Sequence, residues 1–144
     1  MKAHLTRRYW FPASHRLHSR RMSAAENQRT YGKCNNPHGH GHNYALEVTV
    51  AGPVAVRTGM VCDIVGLDGF VEREILEPFG YSNLNRLAPF RSKVPTTENL
   101  CIEIYDRLER GFGAARVEKV CLEETMLNAF EYAGKNGSAR REGR

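Results

Sequence analysis

Long apolar segments are absent from this 144-residue sequence. None of its hydrophobic runs approaches the ~20 residues that a transmembrane helix requires. The N-terminus also lacks the apolar core of a secretory signal, since residues 1–8 are largely polar and the aromatic residues that follow are interrupted at Pro12. We therefore expect a cytoplasmic protein that has no membrane partner.

Cysteine is scarce as well, with only four residues and no CxxC motif. The four are Cys34, Cys62, Cys101 and Cys121. This spacing excludes a disulfide-rich secreted scaffold and a zinc site built from cysteine pairs. We expect free thiols, each behaving as a small buried side chain unless other evidence singles it out.

Positive charge is concentrated at the C-terminus. Residues 135–144 hold four basic side chains and one acidic side chain, so +3 of the formal net charge of +5 lies there and +2 in the other 134 residues. The segment has no apolar periodicity, which predicts a disordered basic tail. Because the remainder is nearly balanced in charge and carries no DNA- or RNA-binding motif, we do not expect nucleic-acid binding.

Apolar periodicity divides residues 1–134 into the strands and helices of one domain. The predicted elements, in chain order, are a strand over 4–15, a short helix from Ser23 to about Arg29, a loop over 33–41, strands over 43–50 and 59–63, a helix over 67–77 stopped by Pro78, a helix capped by Thr97 and closed by Gly111, and strands over 117–123 and 128–132. This order is typical of an α+β domain, a four-stranded antiparallel sheet with two helices on one face. The open edges of such a sheet predict a homo-oligomer.

Three of the six histidines lie in residues 37–44. On a strand, residues two apart point to the same side, so His40 and His42 could converge on one ion. His15 ends the first predicted strand on its apolar face and is the best third ligand, although His38 could replace one of its neighbours. Three imidazoles with one open position are typical of a catalytic zinc site. The spacing alone is equally compatible with a polar loop that binds no metal.

Cys34 lies in a loop rich in glycine, asparagine and proline, six residues before His40. Next to a zinc ion and Lys33, the pKa of this thiol would fall and the thiolate could act as a general base. The alternative is a buried thiol with a packing role only, and spacing alone favours that alternative.

Five segments, in the right order, resemble those of the 6-pyruvoyl-tetrahydropterin synthase family. Residues 11–17, FPASHRL, resemble its F-x-A-S-H-R-L segment, and residues 32–44, GKCNNPHGHGHNY, resemble G-K-C-x-N-x-x-G-H-G-H-N-Y. Residues 58–61 (TGMV), 95–99 (PTTEN) and 124–125 (ET) match three further signatures. The resemblance covers about Thr6 to Tyr132. The family includes 6-carboxy-tetrahydropterin synthase of the queuosine pathway.

This resemblance implies the tunnelling fold, in which three subunits close their sheets into a barrel and two trimers usually stack into a hexamer. It implies a lyase of tetrahydropterin biosynthesis that acts on dihydroneopterin triphosphate, with Zn²⁺ held by His15, His40 and His42. It assigns Cys34 as the catalytic base and Glu124 as the carboxylate that binds the pterin ring. The residues that it places along the pterin pocket at the subunit interface are Thr96, Thr97 and Glu98.

The sequence departs from the family at Gly80 and Tyr81, where the family has an aspartate and a proton-relay histidine. A phenol titrates near ~10 and an imidazole near ~6.5, so Tyr81 could donate a proton but would be a poor two-way shuttle at neutral pH. His38, which the resemblance leaves outside the zinc ligands, and His18 are the other candidate replacements. Two hypotheses follow. The first is a working lyase, which forms either the ordinary product or an altered one, such as that of a retro-aldol cleavage. The second is a zinc- and pterin-binding protein that has lost its catalytic activity.

Overall fold

The computed structural model describes residues 2–135. The strands are β1 Ala3–His15, β2 His40–Gly52, β3 Ser82–Asn83, β4 Arg116–Thr125 and β5 Asn128–Tyr132. The helices are α1 Ala24–Tyr31, α2 Ile64–Val71 with its continuation through a π-helical turn Glu72–Leu76 and a last turn Glu77–Phe79, and α3 Thr97–Gly111. Apart from Lys135, the predicted tail over 135–144 lies outside the described residues. No helix among residues 2–135 is long and apolar enough to cross a membrane.

One sheet contains all five strands in the order β3-β1-β2-β4-β5. Neighbouring strands are antiparallel except β1 and β3, which are parallel and pair only at residues 13–14 and 82–83. The sheet is open and is not closed into a barrel within one chain. The four long strands match the predicted ones, and β3 is a fifth, two-residue addition at the edge.

The core lies between one face of this sheet and helices α2 and α3. Alternate residues of β1 and β2 point into it, among them Phe11, Leu46 and Val48, which are buried. Helix α3 contributes its apolar stripe, because residues four apart share one face of a helix; this stripe consists of the fully buried Leu100, Ile104 and Leu108. The predicted α+β class is therefore confirmed, although the sheet has five strands and not the predicted four.

Helix α2 is longer than predicted and is not stopped by Pro78. It begins at Ile64 and its last turn ends at Phe79. A proline inside a helix leaves the carbonyl four residues earlier without its usual donor. Here the Glu74 carbonyl accepts a hydrogen bond from Arg107 Nη1 of α3 at 3.0 Å, which replaces the missing donor.

Two local predictions are wrong. Residues 59–63 do not form a strand: Gly59 has a positive φ of 73°, and its N–H donates to the Ala55 carbonyl at 2.7 Å in a tight turn. The cap of α3 is Thr96, whose hydroxyl accepts a hydrogen bond from Asn99 N at 3.1 Å, and not Thr97. Because Thr96 takes the capping role, the Thr97 hydroxyl is available for a different partner.

Candidate metal centre and adjoining site

Three histidines converge where β1 ends and β2 begins. The β-ladder places His15 directly opposite His40 and Ala13 opposite His42. One ring nitrogen from each of the three imidazoles lies within 4.8 Å of the others, and His15 Nε2 is 3.2 Å from His40 Nε2. A tetrahedral ion with Zn–N bonds of about 2.0–2.1 Å separates its ligand nitrogens by about 3.4 Å. The cluster is therefore compact enough for one ion.

His15 is oriented by the loop that leads into α3. Its ring is 1% exposed, and Nδ1–H donates to the Pro95 carbonyl at 2.8 Å. This bond assigns the proton to Nδ1, so the lone pair of Nε2 points at the other two imidazoles. Burial lowers the pKa of His15, and the hydrogen bond to Pro95 opposes that shift only in part. The ring is thus held neutral, the form that binds a metal.

His42 carries the clearest sign that an ion belongs here. Its Nε2 is buried and forms no hydrogen bond with any described residue, although Glu124 Oε1 lies 3.3 Å away. Buried polar atoms are rarely left without a partner, because their desolvation costs free energy that nothing repays. Burial also lowers the pKa of His42, with the nearby Glu124 charge acting in the opposite direction. These imidazole donors fit a zinc-type ion.

Glu124 stands between the histidines and the start of α3. It is near the end of β4, where the pairing with β5 is irregular between Glu123 and Thr125. The Thr97 hydroxyl, in a residue only 2% exposed, donates a hydrogen bond to Glu124 Oε2. One carboxylate oxygen is therefore held by Thr97 and the other lies beside His42. The structure brings these predicted residues together.

Cys34 lies on the 3-10 turn Gly32–Asn35 and is half-buried. Its backbone carbonyl accepts a hydrogen bond from Leu17 N at 2.8 Å, which ties this turn to the chain just after His15. Burial raises the pKa of the thiol, and the Glu124 charge raises it further. The protein residues alone therefore favour the neutral thiol, and Lys33 is exposed and contributes no opposing shift.

Tyr81 has a very different environment. It is 93% exposed, and its positive φ of 56° is held by a hydrogen bond from its N–H to the Pro12 carbonyl at 2.6 Å. Gly80 is required before it, since a Cβ there would lie 2.5 Å from the Leu76 carbonyl oxygen. No described contact joins Tyr81 to His15 or to the Cys34 thiol.

The remaining predicted residues differ in their surroundings. Thr96 is half-buried and caps α3, whereas Glu98 in the first turn of that helix is exposed. Among the alternative relay residues, His38 is exposed, and His18 is half-buried with its Nδ1 accepting from Asn35 Nδ2 at 3.1 Å.

Sequence reasoning missed the role of Pro95. Its carbonyl orients His15 across 80 positions of sequence. The family resemblance assigns the neighbouring Thr96, Thr97 and Glu98 to a pocket, but a backbone carbonyl has no side-chain signature, so no sequence pattern could have identified the Pro95 contact.

Together these features define an α+β protein with a candidate metal centre, to which known proteins can be compared. The sequence profile of the family described as 6-pyruvoyl tetrahydropterin synthase matches residues 4–135. The chain is 43% identical over 133 residues to 6-pyruvoyl tetrahydrobiopterin synthase of Poecilia reticulata, covering 92% of this chain and 90% of that one. It is 42% identical over 135 residues to the enzyme of that name from Homo sapiens, covering 93% of each.

The fold agrees with the sequence comparison. The solved structure of Caenorhabditis elegans 6-pyruvoyl tetrahydropterin synthase superposes with a TM-score of 0.89 at 37% identity, over 94% of this chain and 97% of that chain. The protein belongs to the 6-pyruvoyl tetrahydropterin synthase family.

Proposed function

We propose that this protein is a zinc-dependent lyase that acts on dihydroneopterin triphosphate and eliminates triphosphate, as a synthase of the 6-pyruvoyl- or 6-carboxy-tetrahydropterin type. The observation that carries this proposal is the buried, unpartnered Nε2 of His42 beside two further imidazoles and the Glu124 carboxylate. The names of the relatives support the substrate class, since each names a pterin product.

His15, His40 and His42 would hold the zinc ion, which as a Lewis acid would polarise substrate hydroxyls and acidify the neighbouring C–H groups. In the elimination, a Cys34 thiolate accepts the carbon-bound proton, the released electron pair forms a double bond, and the C–O bond to the triphosphate breaks. The positive charge of the ion would oppose the two effects that raise the pKa of Cys34 in the protein alone.

Glu124 would bind the pterin ring by accepting hydrogen bonds from a ring N–H and the exocyclic amine. Such a bidentate contact requires a carboxylate of fixed orientation. Thr97 supplies this orientation through its hydroxyl, and Thr96 and Glu98 would line the same pocket from the first turn of α3.

We further propose that the chain assembles into a trimer or hexamer of barrel form. Among the described strands, β5 pairs only with β4, so its outer edge is open to another strand. Large apolar side chains are exposed near the open parts of the sheet, with Trp10 67% exposed and Leu127 95% exposed. Tyr81 would then serve as the replacement proton relay for the site of a neighbouring copy, because its side chain is 93% exposed.

A second function is favoured by specific observations: a zinc- and pterin-binding protein without turnover. Tyr81 replaces the relay histidine, and burial together with Glu124 raises the pKa of Cys34. Either change would weaken proton transfer while leaving the metal centre and Glu124 intact.

The test is incubation of the zinc-loaded protein with dihydroneopterin triphosphate, with the products identified by mass spectrometry. We expect consumption of substrate with release of triphosphate, or of a two-carbon fragment if the outcome is retro-aldol cleavage. Cys34→Ser should slow turnover by at least about 100-fold, since it removes the general base. Cys121→Ser is the matched control. In the sheet, Cys121 of β4 is flanked by Glu47 of β2 and Glu131 of β5, and these side chains lie on the face away from the core. Pterin binding without any turnover in the unmodified protein would establish the binding function instead.

A further inference from the structure

The two residues that follow His15 are hydrogen-bonded along both edges of the chain. β1 ends at His15, and Arg16 and Leu17 belong to no strand. The backbone N–H and carbonyl of Arg16 both bond the side chain of Asn85, and those of Leu17 both bond the turn that contains Cys34. This alternation between the two edges is that of a strand with a neighbour on each side. One edge of the segment therefore fastens the Cys34 turn.

Asn35 makes the side-chain part of this contact. Leu17 N–H donates to the Cys34 carbonyl at 2.8 Å, and Asn35 Nδ2 donates to the Leu17 carbonyl, also at 2.8 Å. Asn35 Nδ2 donates in addition to His18 Nδ1 at 3.1 Å, so both N–H bonds of the amide are used. Asn35 is only 6% exposed, and a buried donor is costly to leave unpaired. The amide therefore favours this single orientation.

Hydrogen bonds, more than apolar packing, hold the Cys34 turn in place. In the turn Gly32–Asn35, Lys33 is exposed and Cys34 is half-buried. Among the described residues, the apolar core includes no member of this turn. The Asn35 carbonyl adds a further bond, which it accepts from Arg16 Nε at 3.1 Å. Because the thiol extends from this turn, its position relative to His15 depends on these bonds.

Asn85 makes a matching contact on the opposite edge of the segment. Its Oδ1 accepts from Arg16 N at 2.7 Å, and its Nδ2 donates to the Arg16 carbonyl at 2.9 Å. It lies in the 3-10 turn Leu84–Arg86, which follows β3 and contains no cysteine. Asn85 is therefore a matched control for Asn35, since its amide bonds the same two-residue segment without fastening the Cys34 turn.

We propose that Asn35 is a positioning residue, which holds the Cys34 thiol at a fixed place relative to His15 and the other two imidazoles of the candidate metal centre. The proposal rests on the proposed function for the role of Cys34 as general base. A displacement of about 1 Å at a reacting group can cost about 100-fold in rate. Loss of the Asn35 amide should therefore lower kcat and leave the binding of substrate and zinc in place.

The experiment measures alkylation of Cys34 by iodoacetamide in the full chain, with and without bound zinc, by mass spectrometry of peptides. In wild type, zinc should accelerate this reaction at least about tenfold, because a nearby cation lowers the pKa of a thiol. In Asn35→Ala the acceleration should fall below about threefold, since the thiol is no longer held near the ion. In Asn85→Ala it should stay within about twofold of the wild-type value, since the Cys34 turn keeps its contacts.

Three further measurements separate positioning from a general loss of structure. In Asn35→Ala, zinc content and KM should equal those of wild type, while kcat should fall at least about tenfold. Alkylation of the fully buried Cys101 should stay slow in every variant. Should Asn35→Ala fail to fold, Asn35→Gln, which displaces the amide by one methylene, is measured with the same expectations.

The positioning role would be overturned by a zinc effect that Asn35→Ala retains, by an equal loss in Asn85→Ala, or by faster alkylation of Cys101 together with Cys34. A zinc effect that Asn35→Ala abolishes, in a protein that does not consume dihydroneopterin triphosphate, would uphold the positioning role and refute the proposed lyase. Turnover with an unchanged kcat in Asn35→Ala would uphold the lyase and refute the role of Asn35.

Discussion

At the C-terminal end of β1 the protein builds two contrasting environments. In the candidate metal centre His15 is buried and His40 and His42 are half-buried, and their positions are fixed by the Pro95 carbonyl and by the register of β1 against β2. The Gly80–Tyr81 turn, joined to the same strand through the Pro12 carbonyl, has a constrained backbone but an exposed side chain. The three histidines meet within one chain, whereas the phenol of Tyr81 is exposed.

This difference suggests that the proposed active site has two parts with different requirements. Metal binding depends on contacts within one chain, so it should survive changes at the turn. Proton relay through Tyr81 depends on a group that does not contact its own histidines, so it should require a neighbouring copy. Substitutions in the two parts should therefore have separable effects on zinc content and on turnover.

Removal of a metal ligand should have the largest effect. His40→Ala should reduce bound zinc from about one ion per chain to a small fraction and abolish turnover, because two imidazoles rarely hold zinc where three are needed. Metal content is measured by atomic emission after dialysis. His38→Ala is the control, since His38 is exposed and lies outside the cluster, and it should keep its zinc. Full zinc retention in His40→Ala would remove His40 from the site.

Loss of the phenol should have a smaller effect and leave the metal in place. Tyr81→Phe should lower kcat about 100-fold, the lower end of the contribution of a general acid–base group, with zinc content unchanged. An unchanged rate would exclude Tyr81 from the relay.

Mixed oligomers then locate the relay. When Cys34→Ser and Tyr81→Phe chains are mixed in equal amounts during assembly, about one quarter of the sites should contain both native residues if each site uses two copies. Recovery of activity to that level supports the relay in a neighbouring copy. If Tyr81 acted on its own chain, every site would carry one defect and no activity would return.

The smallest effect is expected from loss of the hydrogen bond that Thr97 donates to Glu124. Thr97→Val removes the hydroxyl that donates to Glu124 and should reduce kcat/KM about tenfold, because the carboxylate loses one fixed hydrogen bond. Thr6→Val is the control: Thr6 is exposed at the far end of β1 and bonds only Thr49. Steady-state kinetics with zinc-loaded protein measure both. Equal effects in the two variants would contradict a specific role for Thr97.

Much of the fold followed from local patterns in the sequence. The alternation in β1 placed His15 on the buried face, and the four-residue spacing of α3 predicted its apolar stripe. The prediction failed over 59–63, a short apolar run that has no partner strand in the described sheet. It also failed at Thr96 and Thr97, two adjacent residues of the same type, because only the backbone angles decide which one caps the helix.

The ligands of the candidate site were predictable from the sequence, but the pKa shifts of its side chains were not. The spacing of His40 and His42 predicted a shared face, and a resemblance in sequence supplied the remaining assignments. The electrostatics of Cys34 were not predictable, since burial and a carboxylate 90 positions away set the direction of its pKa shift.

Neighbouring residues in the sequence are enough to show which side chains share a face and which family the chain resembles, because periodicity and motifs are local properties. The three-dimensional arrangement was needed to show that His42 Nε2 forms no hydrogen bond with a described residue, that Pro95 orients His15 and that Tyr81 is exposed. Each of these depends on residues distant in sequence being brought into contact or kept apart, and no local pattern encodes such distances.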